Sequence, residues 1–418
     1  MSLEWNDVVL KDVLSEKGYI RGPFGSALKR AEMKSEGIPV YEQQNAIYDN
    51  RIFRYYIDEE KYQSLKRFTT YTDDLIISCS GTVGKVSIIK HDDPKGIISQ
   101  ALLTLRVNKD SILPEFLKYF FSSYEGYNSL VSRSTGSVQV NISKRAVIEE
   151  IPLKLPPLDV QRKIVHYLSL IDKKIETNKK INKNLEELMH VLFKKYFIDN
   201  NPFYVENDEK WNIIKLKDLI IRNRDKINDF DNWKDELLID LSNMPRFSIA
   251  ISNFDKGKKF TSNIYKLNKY DLLFGSIRPY FGKVGFSPIN GVVTGTVHSF
   301  KPIDDIYYSL VLSLISSKTF INYTVSVSKG TKMPSVKWDD FINYEFAIPD
   351  DLSKIGEYNK ILLPLIHKIE KNILEIQRLT KLRDTLLPKL MSGEIDVSKI
   401  NCDLIIVTFY FYFEILFN

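Results

Sequence analysis

Residues 151–197 read IPLKLPPLDVQRKIVHYLSLIDKKIETNKKINKNLEELMHVLFKKYF, and this stretch decides the fold. Pro152, Pro156 and Pro157 exclude a helix interior and make the first residues an extended lead-in. From Asp159 to Phe197 the period becomes 3.5, with Ile164, Leu168, Ile171, Ile175, Asn178, Asn182 and Leu185 at alternating three- and four-residue steps, then Leu192 one heptad on and Tyr196 four residues beyond it. Apolar heptads of this length predict a coiled coil. The pattern returns as Tyr358, Leu362, Leu365, Ile369, Asn372, Ile376, Leu379, Leu386 and Leu390. Asn178 and Asn372 hold equivalent seam positions, where a buried Asn costs stability but fixes register. Pro364 either starts the second helix or kinks it. Two matched seams in one chain most simply pack on each other antiparallel, with a globular domain at each end. A helix of about 33 residues at roughly 1.5 Å per residue is about 50 Å long.

The helix belongs to a larger repeat. Ile175-Glu176, Asn178, Leu185, Leu188, Leu192 and Lys195 recur as Ile369-Glu370, Asn372, Leu379, Leu382, Leu386 and Lys389, an offset of 194 throughout. Upstream the offset drifts as loops lengthen and shorten. Trp5-Asn6 pairs with Trp211-Asn212, Leu10-Lys11-Asp12 with Leu216-Lys217-Asp218, Asn45 with Asn243, Asp74-Leu75 with Asp271-Leu272, and Gly84-Lys85-Val86 with Gly282-Lys283-Val284. Two copies of about 200 residues are too few and too long for a solenoid. The expected fold class is α+β: two globular α/β domains separated by two long antiparallel coiled-coil helices, in a pseudo-two-fold internal repeat. The boundaries read as 1–155, helix 156–198, 199–350, helix 351–400, and an atypical apolar tail 401–418 (LIIVTFYFYFEILFN at its end). The tail is too short for a bilayer span. It reads as a packing strand, an interface, or the product of a shifted reading frame. Short apolar runs at 75–77, 86–89 and 97–98 predict strands, and 115–131 has helical spacing.

Composition excludes several classes. The 418 residues carry a net charge of +6 and are 44% hydrophobic, ordinary for a soluble chain. The two helical segments 161–198 and 357–391 carry +5 and +3, a basic bias that suits either a solvated face or a surface near phosphate. The two cysteines, Cys79 and Cys402, have no metal-ligand spacing. The N-terminus MSLEWNDVVLKD lacks a signal peptide's charged start and apolar core, so a cytoplasmic location without membrane attachment is expected. SGTVGKVS (80–87) has the wrong spacing for a phosphate-binding loop and Val86 where Ser or Thr is needed. Asn200-Asn201-Pro202-Phe203 lacks the first proline of the loop shared by base amino-methyltransferases. No dinucleotide-type glycine loop occurs, and His91, His166, His190, His298 and His367 are scattered. The residues thus offer no catalytic, metal-binding or cofactor-binding constellation.

The spacer 151–197 and RLTKLRDTLLPKLMSGEIDV (378–397) strongly resemble the helical spacers of specificity (S) subunits of type I restriction–modification systems. IRGPFGSALK, IPVYEQQNAI, DLLFGSIRPYFGKVGFS and the Ser-x-Gly turn before each spacer are similar to pieces of that family's target recognition domains. The resemblance covers about residues 1–400; Pro364, the DLSKIGEYNKILL segment and the apolar tail depart from it. It implies that each globular domain reads one half of a split, asymmetric site in double-stranded DNA. It also implies that the helices set the spacing and dock methyltransferase (M) subunits, with restriction (R) motor–nuclease subunits joining for cleavage. S-adenosylmethionine would sit on the M subunits, ATP and Mg on the motor subunits, and no cofactor on this chain.

DNA readers need phosphate contacts for register and base-edge contacts for sequence. Amide, hydroxyl and cationic side chains in turn-rich loops are the candidates, since Gln and Asn pair bidentately with adenine and Arg with guanine. In the first domain these are Gln43, Gln44, Asn45, Ser80, Thr82, Lys85, Arg133, Ser134, Thr135, Gln139, Asn141 and Lys144. In the second they are Ser242, Asn243, Ser276, Arg278, Tyr280, Lys283, Lys329, Thr331, Lys332 and Lys337. Lys85 and Lys283 stand out because the repeat makes them equivalent, although a Gly-Lys-Val turn can recur simply because its hairpin recurs. Two rival readings remain: a coiled-coil scaffold without DNA, and a single-chain DNA methyltransferase, against which the missing motifs speak.

A spacer that acts as a ruler can be lengthened. Four residues inserted after Asn178 and again after Asn372 add about 6 Å of helix and turn it by about 400°. That is close to two base-pair steps of about 3.4 Å. The methylated motif of the double-insertion protein, read by single-molecule sequencing, should keep both half-sequences and gain one or two unspecified bases between them. Changed half-sites at unchanged spacing would refute the ruler.

Overall fold

A computed structural model of the chain describes residues 5–24, 27–133, 140–199, 210–227, 233–257 and 263–397. The apolar tail lies outside these, as do Ser134, Thr135 and Gln139. The chain forms two compact units, Met1–Ile171 with Leu382–Asn418, and Asp172–Lys381. The division falls inside both long helices, so each unit contains a stretch of each.

In the first unit, Leu14–Arg21, Leu102–Val107, Leu75–Ser78 and Val86–Ile88 form an antiparallel sheet in that order. A second sheet runs Tyr56–Ile57, Ile38–Tyr41, Ile97–Ile98, its last pair parallel. Asn6–Val9 pairs with Pro152–Leu155, the strand that leads into the first long helix. The second unit repeats this order. Its antiparallel sheet is Ile220–Arg222, Val297–Pro302, Leu272–Gly275, Val284–Phe286. Its second sheet is Asp255–Lys256, Leu237–Ile239, Gly291–Thr294, Ile264–Leu267, with the central pair parallel. Trp211–Lys215 pairs with Glu345–Pro349, the lead-in to the second long helix. The strands expected at 75–77, 86–89 and 97–98 are present. The helix expected over 115–131 is broken at Ser123, whose hydroxyl accepts the Gly126 N–H at 3.1 Å and restarts the chain as a second helix.

The long helices are Leu158–Phe193, continued by a π-helical turn to Ile198, and Leu352–Met391. The second starts well before Pro364. The Asp351 carboxylate accepts the Ser353 N–H at 2.9 Å and fixes the start, while Pro364 is exposed and only removes one backbone donor mid-helix. Their pairing is antiparallel within each unit. In the first, Ile164 and Leu168 share one apolar core with Leu386, Leu387, Leu390 and Met391. In the second, the Asn178 amide donates to the Glu375 carboxylate at 2.8 Å and the Asn372 amide to Asn182 Oδ1 at 2.7 Å. Further along, the Tyr196 and Phe197 rings lie 5.4 and 4.9 Å from that of Tyr358. The polar seam residues Asn178, Asn182 and Asn372 are all buried.

Past Asn182 the seam departs from the 3.5-residue reading. The buried positions become Glu186, Met189, Phe193 and Phe197, and Leu185, Leu192 and Tyr196 are only partly buried. An α-helix drifts by about 20° per heptad against a strict 3.5 repeat. Here the drifted face also packs into the core of the second unit, alongside Leu216, Phe274 and Phe300.

Ile369 is fully buried in that core. Ile369→Asp should lower the unfolding free energy by several kcal/mol, the order of the cost of an unpaired buried carboxylate. Leu185→Asp should cost less, because the side chain reaches water. Denaturant melts of the two variants test the seam, and equal losses would contradict it.

Candidate nucleic-acid interface

Three loops of the second unit interlock at one rim of its sheets. The loop Asp240–Ser252 follows the strand Leu237–Ile239. Its Phe247 N–H donates to the Gly282 carbonyl at 3.0 Å, tying it to the turn Ser276–Lys283. That turn is held in its own right to the loop 328–336. The Arg278 N–H donates to the Pro334 carbonyl at 2.7 Å, and the Val336 N–H to the Ser276 carbonyl at 3.0 Å. Gly282 is at φ +55, and a Cβ there would lie 2.6 Å from the Phe247 ring, so only glycine allows this approach.

The loops bring most of the predicted residues of this unit together. Ser242, Tyr280, Lys329, Thr331 and Lys332 are exposed on them. Arg278 is half-buried at φ +50, and its Nε has no hydrogen-bond partner among the described residues. Lys337 is exposed at the start of the short helix Trp338–Ile342, as Lys144 is before Arg145–Glu149 in the first unit. Three candidates take framework roles instead. Ser276 is buried, with its hydroxyl on the Thr296 carbonyl at 2.7 Å. Asn243 folds its own loop, Oδ1 accepting the Asp240 N–H at 2.9 Å and Nδ2 donating to Asp255 at 3.2 Å. Lys283 donates its ammonium to the Leu241 carbonyl, and burial, with Arg246 nearby, holds its pKa below the usual lysine range.

The first unit sets a short helix against the equivalent turn. Gln43–Ile47 is a short helix after the strand Ile38–Tyr41, and the turn 79–85 faces it. Gly81 and Gly84 take φ +63 and +78 there, and the Ser78 hydroxyl spans the turn, donating to the Thr82 carbonyl at 2.6 Å and accepting from the Lys85 N–H at 3.0 Å. Ser80, Thr82 and Lys85 are exposed at its tip. The Gln43 amide lies against Gly81, and its Oε1 is buried with no partner among the described residues. Gln44 donates to the Ile52 carbonyl at 3.2 Å. Asn45 is fully buried. Its Oδ1 accepts the Glu42 N–H at 2.7 Å, and its Nδ2 donates to the Asn50 and Ile52 carbonyls, so it shapes the loop and cannot reach a base. Arg133 and Asn141 lie on the paired strands Val131–Arg133 and Val140–Ile142.

The composition rule missed Arg246, Phe247 and Tyr48. Arg246 stands 3.8 Å from the Phe281 ring centroid, a cation–π contact, and Phe281 packs against Tyr280 at 4.6 Å. Phe247 is 67% exposed although it sits at φ +51, and Tyr48 is 73% exposed on the equivalent loop of the first unit. Arg246-Phe247 follows a proline in a turn-rich loop, a signal that admitting aromatic side chains would have caught. Beneath this loop lies Glu186, buried on the first long helix. It accepts the Ser248 O–H at 2.8 Å and the Ile249 N–H at 3.2 Å. Burial nevertheless pushes its carboxyl up to about 7. Among the described residues no group of His, Cys, Asp and Glu could hold a metal ion, and no helix is long and apolar enough to cross a membrane.

A family model for the type I restriction modification DNA specificity domain matches residues 3–187. The type I restriction enzyme MjaIX specificity subunit of Methanocaldococcus jannaschii is 28% identical over 320 residues, covering 70% of this chain and 72% of that protein. The EcoBI specificity subunit of Escherichia coli is 22% identical over 411 residues, covering 89% of this chain and 83% of its own. The crystal structure of a type I restriction–modification S subunit from M. genitalium shares the fold. It has a TM-score of 0.57 at 15% identity and covers 93% of this chain and 96% of that one.

The raised carboxyl of Glu186 has a pH consequence of definite sign. The folded protein holds this proton more tightly than the unfolded chain, so the stabilisation is present at low pH and lost as pH rises from about 4.5 through about 7. Each pH unit in that window removes up to about 1.4 kcal/mol. Glu186→Gln abolishes the titration. Thermal melts at pH 5 and pH 8 should therefore shift the stability difference in favour of the variant at the higher pH, and a difference independent of pH would contradict the assignment.

Proposed function

Because the chain belongs to the specificity subunits of type I restriction–modification systems, we propose that it reads DNA sequence for such a complex and carries out no chemistry itself. One observation supports the reading above others. In the second unit three loops meet around a Gly-Lys-Val turn, and in the first a short helix faces the equivalent turn; both arrangements present cationic and hydroxyl side chains at a rim. Gln43 Oε1 and Arg278 Nε are polar atoms at those rims without partners among the described residues. Both side chains are half-buried, and their remaining polar atoms suit a base edge. Each unit then reads one half of a two-part site in double-stranded DNA. Exposed Lys329, Lys332 and Lys337 suit phosphate, which fixes register without carrying sequence.

The partners in this reading are the M and R subunits of the same system. S-adenosylmethionine is held by the M subunits, and ATP with Mg by the motor subunits. The division of labour fits a chain whose sequence contains none of the methyltransferase or phosphate-loop motifs. The long helices, basic in sequence and continuous through both units, are the surface offered to the M subunits.

Purified alone, the chain should neither methylate nor cut DNA; with a cognate M subunit it should confer methylation at a two-part motif. In that complex Arg278→Ala should cost about 1–3 kcal/mol at one base pair and relax preference there. Lys332→Ala should weaken binding to all duplexes alike and lower the salt slope by about one. Fluorescence anisotropy at several salt concentrations separates the two. Methyl transfer by the isolated chain would overturn the proposal, as would absence of duplex binding by the complex.

A further inference from the structure

The loop that carries Arg246 and Phe247 is gripped from below by both long helices. Glu186, on the first, accepts the Ser248 O–H at 2.8 Å and the Ile249 N–H at 3.2 Å. The Ser248 oxygen in turn accepts the Ala250 N–H at 3.2 Å. Gln377, on the second, donates to the Ser252 carbonyl at 3.2 Å. Three successive residues of the loop therefore have their backbone or hydroxyl donors directed to one carboxylate or to its hydroxyl partner. A carboxylate is a costly choice for a buried site, since an apolar side chain of similar size would pack there without the desolvation penalty. What it provides is a fixed set of acceptors for backbone N–H groups that otherwise face an apolar core.

The loop needs such restraint. Phe247 stands in the left-handed region at φ +51, a conformation unfavourable for a bulky residue that persists only where the surroundings over-determine it. Its N–H is tied to Gly282 on the upper side, and Glu186 and Gln377 hold the residues that follow on the lower side. Arg246, beside it, is thereby aimed across the Phe281 ring.

The first unit does this differently. Its equivalent loop is braced from within its globular part: Arg51 bridges to Asp93 at 2.6 Å and to the Ile88 carbonyl at 2.8 Å, and Asp49 engages Ser87 and Lys118. The position that the 194-residue offset makes equivalent to Glu186 is Thr380, whose hydroxyl only bonds the Ile376 carbonyl of its own helix at 2.7 Å. The clasp on the second unit is therefore no product of the repeat.

We propose that Glu186 and Gln377 are positioning residues that hold the loop Asp240–Ser252 in its DNA-reading conformation, so that base preference in one half of the site is set in part from the long helices. This rests on the reading of the chain as a DNA specificity subunit. Neither side chain touches DNA in the proposal. Their effect passes through the direction of Arg246 and the strained backbone at Phe247.

The test uses the complex with its cognate methyltransferase subunit and measures kcat/KM for methylation of the cognate duplex and of duplexes with one base pair changed in either half. The readout is the ratio of cognate to changed. A variant that merely folds less well lowers both rates alike and leaves the ratio where it was. Glu186→Gln and Ser248→Ala should each lower the ratio about tenfold for changes in one half only, the size of one bidentate base contact. Arg246→Ala should identify the same half. Gln377→Leu, less buried, covers the case in which Glu186→Gln fails to fold, and should act on that half too. Ratios unchanged in both halves, or falling equally in both, would overturn the clasp while leaving the specificity reading intact. A wild-type complex that marks no two-part sequence would overturn that reading, and the clasp with it.

Discussion

Neither globular unit closes its core without the long helices. Ile164 and Leu168 from one helix and Leu386, Leu387 and Leu390 from the other lie in the same apolar cluster as Leu75, Leu103 and Phe116 of the first unit. In the second, Ile355, Tyr358, Leu362, Ile366, Ile369 and Ile373 join Leu272, Phe274 and Phe300. At about 1.5–3 kcal/mol for each large apolar side chain removed from water, the helices are structural walls of the units as much as connectors. The seam cannot be displaced without opening a core, and this is why polar residues are tolerated in it. Asn178, Asn182 and Asn372 find partners across the seam, while Asn372 Oδ1 is buried without a hydrogen-bond partner among the described residues.

The sequence repeat was legible, and the structure shows what it encodes. Asp12 and Asp218 accept the N–H three residues before them, at 3.1 and 3.0 Å. Asp74 and Asp271 do the same at 2.9 and 2.8 Å, and Asn45 and Asn243 close matching turns. Gly84 and Gly282 both take positive φ beneath an aromatic ring. Each recurring polar residue of this set holds a turn of the framework. On the proposed reading, two units that recognise different halves of an asymmetric site should share their scaffold and differ in their readers. Recurrence therefore argues against a reading role, and it misleads at Asn45, Asn243 and Lys283. Arg246 and Arg278, which the repeat does not duplicate, are better placed.

Helix existence and partner were legible for a plain reason: heptads persist over 30 residues and the same seam occurs twice. The details that failed are those that depend on a third body. The shift from Leu185 to Glu186 cannot be read from one helix, because the loop Asp240–Ser252 supplies the donors that make a buried carboxylate tolerable. The break at Ser123 was missed because a capping serine inside an apolar period looks like any other polar helix residue until its hydroxyl is seen on the Gly126 N–H. The course of the second helix through Pro364 was ambiguous on local rules and is decided by Ile366, Ile369 and Ile373, which anchor the turns beyond it.

The first unit is discontinuous: residues 382–397 complete a body begun far upstream, with the whole of Asp172–Lys381 lying between in sequence. During synthesis at roughly 5–20 residues per second, Ile164 and Leu168 leave the ribosome about ten seconds or more before Leu386 and Leu390, their neighbours in the core, exist. The apolar stripe of the nascent first helix must stay open through that interval while the intervening unit is made. Order of appearance and order of completion thus run opposite ways. The segment translated first is the one that waits, and its core closes only when the last turns of the second helix arrive.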